Sequence, residues 1–148
     1  MRRRGGFTLI ELVVVLLIVG VAAAVIVPSI GRGSEALRAR AQVSGFAAFL
    51  RHAREQAVTR REVHEVRIDP QARVVVLTGA GSDTPRLSRR LGEGWRIQAS
   101  PPAAFTVTFH PQGLSSGGSF RIEAAGGRVF VVTVDPLTGR VAQRRGDT

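Results

Sequence analysis

The sequence contains no cysteine and no lysine among its 148 residues. The absence of cysteine excludes a disulfide framework, a thiolate metal site, a cysteine nucleophile and a lipoprotein anchor. Because lysine is absent, all 21 basic residues are arginine, and the formal net charge is +10. Such an excess of positive charge is a feature of many nucleic-acid-binding proteins. The arginines are scattered along the whole chain, however, which favours an arginine-rich composition with a basic start over a dedicated nucleic-acid surface.

One long apolar run is present, from Phe7 to Val27. It follows Arg2 to Arg4, and positive charge before an apolar run holds that end of the chain in the cytoplasm. As a helix at ~1.5 Å per residue, the run reaches roughly 30 Å, which is the thickness of a bilayer core. In lipid the backbone must form its hydrogen bonds internally, so the run predicts a transmembrane helix despite its β-branched residues and Gly20.

Three interpretations of this start compete: a cleaved secretory signal with small residues at 21–24, a plain signal anchor, and a prepilin-type leader cut between Gly6 and Phe7. Glu11 discriminates, because a carboxylate costs about 2.5–3.5 kcal/mol at the centre of a membrane helix and an ordinary signal gains nothing from it. After cleavage at Gly6, Phe7 would carry a new α-amine. Glu11 of an incoming subunit could pair with that amine on a neighbour, which would set the axial register of a helical bundle.

The stretch "GGFTLIELVVVLLIVGVAAAVIVPSI" resembles the leader and N-terminal helix of type IV pilins and type II secretion pseudopilins. Gly6, Phe7 and Glu11 match the cleavage and assembly positions of that family, and Pro28 matches a proline common where its helix kinks. The resemblance implies that an inner-membrane prepilin peptidase removes residues 1–6 and methylates the new N-terminus at Phe7. It also implies other pseudopilins, major and minor, as partners in a filament.

Residues 34–61 have the pattern of an amphipathic helix. Pro28, Gly31 and Gly33 loosen the chain before it, and Ser34 can cap a new helix. The apolar residues at three-and-four spacing predict the buried face: Leu37, Ala41, Phe46, Phe49, Leu50, Ala53 and Ala57. We interpret this segment as a stem helix packed on a sheet, with a DNA-recognition helix as the alternative.

After Arg61 the apolar residues alternate with a period of two, which predicts about seven short, mostly antiparallel strands. Hairpin turns are expected at residues 69–72 and at Gly126–Gly127. The predicted fold class is α+β, with a long N-terminal helix packed on a C-terminal antiparallel β-sheet domain. The expected segments are a leader at 1–6, a transmembrane assembly helix at 7–30, an amphipathic stem helix at 31–61 and a periplasmic β-rich domain at 62–148.

The C-terminal part is similar to the end of the GspH/FimT group of minor pseudopilins. In that group an aromatic-x-Pro-x-Gly loop leads into a strand, and the chain closes on Thr-Gly-Arg. The matching residues are Phe109, Pro111, Gly113, Thr138, Gly139 and Arg140. Acidic residues are sparse near residues 135–140, so the calcium loop of the major pseudopilin is not expected. No metal site and no cofactor are predicted.

Three motifs suggest chemistry but fit structural roles better. The "GLSSG" at 113–117 matches a nucleophile elbow, which requires a following helix and a later histidine, whereas here a strand is predicted and no histidine follows Ser115. The "GAG" at 79–81 lacks the following helix of a dinucleotide turn. The histidines are too widely spaced for a metal-ligand pattern: His52, His64 and His110. We therefore predict no catalytic residue.

Taken together, the residues and the resemblance predict a non-enzymatic minor pseudopilin of a type II secretion system. It is expected in the bacterial inner membrane with one pass, a cytoplasmic N-terminus and a periplasmic C-terminal domain, and exoproteins are further expected partners. The alternative is a FimT-like minor type IV pilin that binds DNA for uptake through Arg140, Arg144 and Arg145, since arginine suffices for non-specific phosphate binding. A soluble, secreted β-domain is the third interpretation.

Overall fold

The computed structural model of this protein describes residues 8–79 and 81–147, and within its helix side chains are described up to Ala22 and from Glu35 onward. The helix α1 (Leu9–Arg60) comes first. Eight strands follow it in the described part of the chain: β1 (His64–Asp69), β2 (Val74–Gly79), β3 (Pro85–Arg90), β4 (Arg96–Ser100), β5 (Thr106–Phe109), β6 (Gly118–Ala124), β7 (Arg128–Val134) and β8 (Val141–Arg145). A short 3-10 helix, Pro102–Phe105, joins β4 to β5. The fold is α+β, as predicted.

The helix α1 differs from the sequence prediction, which placed an interruption between residues 28 and 34. The structure has one helix from Leu9 to Arg60 instead of two. An internal proline costs a helix about 3 kcal/mol, whereas ending the helix there would require a second, unfavourable nucleation step to start another. Within the part of the chain that the structure describes, no helix combines the length and the hydropathy needed to cross a membrane.

The chain divides into two compact units, Met1–Ala36 and Leu37–Thr148. The described part of the first unit is the first half of α1. The second unit contains the rest of α1 and all eight described strands, which form two antiparallel sheets. The first sheet has the strand order β3-β2-β1-β5, and the second sheet has the order β4-β6-β7-β8.

The two expected hairpins are confirmed. The first joins β1 to β2 with Asp69 opposite Val74, and the Asp69 carboxylate accepts backbone hydrogen bonds from Gln71 at 2.9 Å and Ala72 at 2.8 Å. The second joins β6 to β7 through Gly126 and Gly127, with φ of 79° and 70°. The register pairs Ala124 with Arg128, so the loop has three residues, and the Gly127 N–H donates to the Ala124 carbonyl at 3.2 Å. Both glycines have positive φ, which glycine adopts without the steric cost of a Cβ.

The core of the second unit forms where both sheets meet residues 37–60 of α1. Phe46 is 1% exposed, and its ring packs edge-on against Phe120 and Trp95, at centroid distances of 5.6 Å and 6.3 Å. The buried positions of the helix follow three-and-four spacing: Ala39, Val43, Phe46, Ala47, Phe49, Leu50, Ala53 and Ala57.

Two predicted core positions on this helix are wrong. Leu37 is 70% exposed, and Ala41 is also exposed. Each helical residue advances about 100°, so Leu37 lies roughly 200° around the helix from the buried Ala39. The buried stripe therefore runs through Ala39 and Val43. At this end of the helix, the sequence prediction placed the buried stripe on the wrong face.

Candidate functional site

The predicted processing positions Gly6 and Phe7 lie outside the described residues. Glu11 is described, in the first turn of α1, where its backbone N–H donates to the Thr8 hydroxyl at 3.3 Å. Its side chain is exposed. A carboxylate in the first turn of a helix interacts favourably with the helix dipole. Pro28 lies within α1, but its side chain is outside the described set, so the predicted kink stays a prediction.

The apolar residues around Glu11 are exposed on every side of the helix. Their exposed fractions run from 48% at Val13 and Val14 to 82% at Leu9, and Leu16, Leu17 and Ile18 are each at least 60% exposed. A helix that is apolar all round is normally buried in a protein core or in lipid. This segment therefore presents an uncovered apolar surface that carries one carboxylate near its start.

The motif residues near the C-terminus form a second cluster, built on two tight loops. The first loop follows β5. Phe109 is fully buried at the end of that strand, and the loop closes through hydrogen bonds from Gly113 to the His110 carbonyl and from His110 to the Leu114 carbonyl, each 2.9 Å. Pro111 is half-buried within it. Gly113 has φ of 89°, a conformation that side chains with a Cβ rarely adopt.

The second loop joins β7 to β8 and is organised by Asp135. The Asp135 carboxylate accepts hydrogen bonds from the backbone of Leu137 at 3.0 Å, the backbone of Thr138 at 2.8 Å and the Thr138 hydroxyl at 2.9 Å. These Thr138 donors, first of all its backbone N–H, lower the pKa of Asp135 below the ordinary 3.8. The loop is closed by Gly139, which donates to the Asp135 carbonyl at 2.8 Å.

The two loops touch each other at their glycines and are held by one arginine of α1. A Cβ on Gly139 would lie 2.6 Å from the Gly113 carbonyl oxygen and 3.0 Å from Arg54 Nε. Arg54 Nε in turn donates to the Thr138 carbonyl at 2.9 Å. Residues 109–113 and 138–139, which the sequence singled out separately, therefore meet in one structural junction with the helix.

Sequence reasoning missed Arg54 and Asp135. Arg54 is not among the apolar residues that marked the buried face, although it adjoins the buried Ala53 and borders the buried stripe. Asp135 begins the sequence "DPLTGR", and an aspartate at the start of a turn commonly accepts hydrogen bonds from the backbone N–H groups that follow it. That pattern was the available signal.

Ser115, the serine of the "GLSSG" motif, ties the two sheets together. Its hydroxyl donates to the Asp135 carbonyl at 2.9 Å and accepts from the Gly117 N–H at 3.0 Å, while its backbone N–H donates to the Pro136 carbonyl. The strand β6 follows it, beginning at Gly118, so the strand–turn–helix geometry of a nucleophile elbow does not occur here. The motif is a structural link between β5 and the end of β7.

The histidines have separate environments. His64 is fully buried. Its Nδ1 lies 3.1 Å from the Glu62 carbonyl and its Nε2 lies 3.2 Å from Arg86 Nη1, and Arg86 also pairs with the Glu62 carboxylate at 3.0 Å. His52 is exposed and His110 is half-buried. Across residues 8–79 and 81–147, no three histidine or acidic side chains are grouped as metal ligands would be.

The three arginines of the predicted DNA site do not share one surface. Arg140 is exposed in the β7–β8 turn, and Arg144 and Arg145 are neighbours on β8. Successive side chains of a strand point to opposite faces. Arg145 stands opposite Phe130, which belongs to the core, whereas Arg144 stands opposite Val131 on the other face of the sheet.

Comparisons with known proteins agree with this architecture. The sequence profile for a prokaryotic N-terminal methylation motif matches residues 1–27, and the profile described as type II transport protein GspH matches residues 42–138. A search of curated protein sequences gives no significant match.

Two solved proteins are similar in fold. The type IV minor pilin FimU of Pseudomonas aeruginosa is 18% identical, with a TM-score of 0.61 over 75% of this chain and 91% of that chain. The minor pseudopilin EpsH of the type 2 secretion system of Vibrio cholerae is 16% identical, with a TM-score of 0.56 over 72% of this chain and 96% of that chain. Because the GspH profile matches more than half of the length of this chain, the chain belongs to the GspH family of type II transport proteins.

Proposed function

We propose that this chain is a minor pseudopilin of a type II secretion system, a structural subunit without catalysis of its own. Residues 7–30 would insert in the inner membrane and assemble with the helices of other pseudopilins. Residues 31–61 would form the stem, and residues 62–148 the periplasmic domain. The short filament would help to move folded exoproteins across the outer membrane, driven by other components of the system.

One observation carries this proposal: a GspH-family domain follows a helix whose apolar surface is exposed all round and carries a single carboxylate in its first turn. Side-by-side packing of such helices in lipid would bury the apolar surface without fixing how far one helix slides along the next. An ion pair between Glu11 and the amine of a neighbour's Phe7 would fix that position, because an unpaired charge in lipid is costly. Cleavage after Gly6 is needed to create the amine.

The first experiment tests processing and register together. N-terminal sequencing of the membrane-extracted protein should begin at an N-methylated Phe7. Glu11→Gln should insert normally but crosslink at least about tenfold less to neighbouring pseudopilins, whereas Glu35→Gln, at another exposed helical glutamate, should crosslink like wild type. A start near Val25 would contradict prepilin processing, and equal crosslinking of both variants would contradict the ion pair.

A FimT-like minor type IV pilin that binds DNA is the second candidate. It is supported by the net charge of +10 and by the similarity in fold to a type IV minor pilin. The opposite orientations of Arg144 and Arg145 weigh against a single three-arginine site, so we rank it second. Changing Arg140, Arg144 and Arg145 together to alanine should leave exoprotein secretion within about twofold of wild type. Loss of DNA uptake with normal secretion in this variant would favour the second candidate.

A further inference from the structure

The strand β8 is an outer strand of the second sheet, and half of its backbone groups point away from the sheet. Gly146 N–H donates to the Val129 carbonyl and Asp135 N–H donates to the Arg140 carbonyl, so the even-numbered residues of β8 bond to β7. In an antiparallel pair the bonding residues alternate. The N–H and C=O groups of Val141, Gln143 and Arg145 therefore face outward.

The Val141 end of this edge adjoins a groove between β8 and α1, with a volume of about 1250 Å³, and Val141 and Ala142 are the residues of β8 that line it. The helix side of the groove includes Arg51, Arg54 and Val58, of which Val58 is 42% exposed. Arg51 Nε donates a long hydrogen bond, 3.4 Å, across the groove to the Val141 carbonyl. Beyond Val141, the structure records no hydrogen bond to the outward groups of β8 from any described residue, so the edge is open for pairing.

The charge of the groove selects the kind of strand that can pair there. Arg51, Arg54 and Arg140 line it, and neither of the two ion pairs found among the described residues involves them. Of its two carboxylates, Glu55 and Asp135, the second is already occupied by its turn donors. The strand itself adds Arg144 and Arg145.

A second copy of this chain is a poor occupant through the same edge. Two β8 strands side by side would bring the Arg144 and Arg145 side chains of both copies into one short ladder, and like charges on paired strands are destabilising. Arginines on an outer strand thus act against self-pairing. An acidic strand is favoured, because its side chains would meet Arg51 and Arg145 on one face and Arg144 on the other.

We propose that the open edge of β8 and the adjoining groove bind an extended, carboxylate-bearing segment of another protein, which adds to the second sheet as a fifth strand. Main-chain hydrogen bonds to the Val141 N–H and to the N–H and C=O groups of Gln143 and Arg145 supply affinity, as in other cases of strand addition. The arginines supply selectivity for acidic side chains and steer the encounter. The site does not depend on the kind of filament that the chain joins.

The test uses the full chain in detergent micelles and a fluorescein-labelled nine-residue peptide of alternating valine and glutamate. Fluorescence anisotropy should show binding that is at least about tenfold tighter than for the same peptide with lysine in place of glutamate. N-methylating alternate residues of the glutamate peptide separates strand pairing from general attraction to a basic protein. Methylation of the residues that face β8 should abolish binding, and methylation of the other set should change affinity by less than about twofold.

Variants of the protein give a second readout. Gln143→Pro removes an outward N–H and should weaken binding at least about fivefold, the scale of one lost hydrogen bond. Gln143→Ala keeps that N–H and should bind like wild type. Arg51→Gln should weaken binding of the glutamate peptide, whereas Arg96→Gln, on the opposite outer strand of the same sheet, should not. Equal effects of the two N-methylated peptides, or equal affinity for the lysine peptide, would overturn the proposal.

Discussion

Replacing Gly139 by alanine should destabilise the second unit more than an ordinary glycine-to-alanine change in a turn. Gly139 has φ of 61°, and a Cβ there would lie 2.6 Å from the Gly113 carbonyl oxygen and 3.0 Å from Arg54 Nε. The oxygen belongs to a loop closed by its own hydrogen bonds, so it has little freedom to move away. Arg54 is also fixed by its bond to the Thr138 carbonyl.

The expected magnitude has two parts. Holding alanine in the left-handed conformation costs about 1 kcal/mol. Forcing a methyl group into a closely packed junction adds about 2 kcal/mol. The sum is about 3 kcal/mol, which corresponds to a fall in Tm of roughly 12 °C for a domain of this size. Gly127 is a matched control, because its φ is 70° but no atom lies within 4 Å of its Cβ position. Gly127→Ala should therefore lose only about 1 kcal/mol, or roughly 4 °C.

The assay is thermal unfolding of the full chain in mild detergent, followed by the near-ultraviolet circular dichroism of Trp95, the single tryptophan. Wild type and both variants are compared under identical conditions. If Gly139→Ala and Gly127→Ala lower Tm equally, the contact between the two loops contributes nothing beyond backbone conformation, and our account of the C-terminal motif is refuted.

Two further predictions concern the same unit. Because the folded-state pKa of Asp135 lies below 3.8, its carboxylate stabilises the fold above that pH, and this stabilisation is lost as pH falls through the lowered pKa. Asp135→Asn should remove this part of the acid sensitivity, as measured by unfolding between about pH 2 and 5. Phe46→Ala should cost about 3–5 kcal/mol, since it removes the ring between Phe120 and Trp95, whereas Leu37→Ala at an exposed position should change the free energy of unfolding by less than about 0.5 kcal/mol. Similar losses in both variants would contradict the observed burial pattern.

Local patterns in the sequence predicted much of the β-rich part correctly. The alternation of apolar and polar residues after Arg61 predicted the strands, and the paired glycines Gly126–Gly127 predicted a hairpin. Both predictions were possible because each signal depends on residues close together in the chain. The division into two sheets could not be predicted in the same way. The loop at 110–117 leads from the first sheet to the second, and Ser115 within it bonds to Asp135 and Pro136, about 20 residues further on.

The candidate sites show the same contrast. The residues 5–11 that suggest a prepilin-type leader are contiguous, so the sequence alone was enough to propose it, and Glu11 stood out because a charge in an apolar run is costly. The loops containing Gly113 and Gly139 were recognised separately by resemblance, but their contact, and the helical Arg54 that clamps them, required the folded chain. The open edge of β8 likewise follows from which residues bond to β7.

The sequence by itself determined the apolar helix, its single carboxylate, the amphipathic period of the stem and the strand-forming alternation, since each of these is a property of neighbouring residues. Only the tertiary structure decided which face of the stem is buried, how the strands divide between two sheets and which backbone groups remain open. Those features arise from contacts between residues far apart in the chain. The free energy gained there by burial and hydrogen bonding depends on many residues together, so no local preference in the sequence determines it.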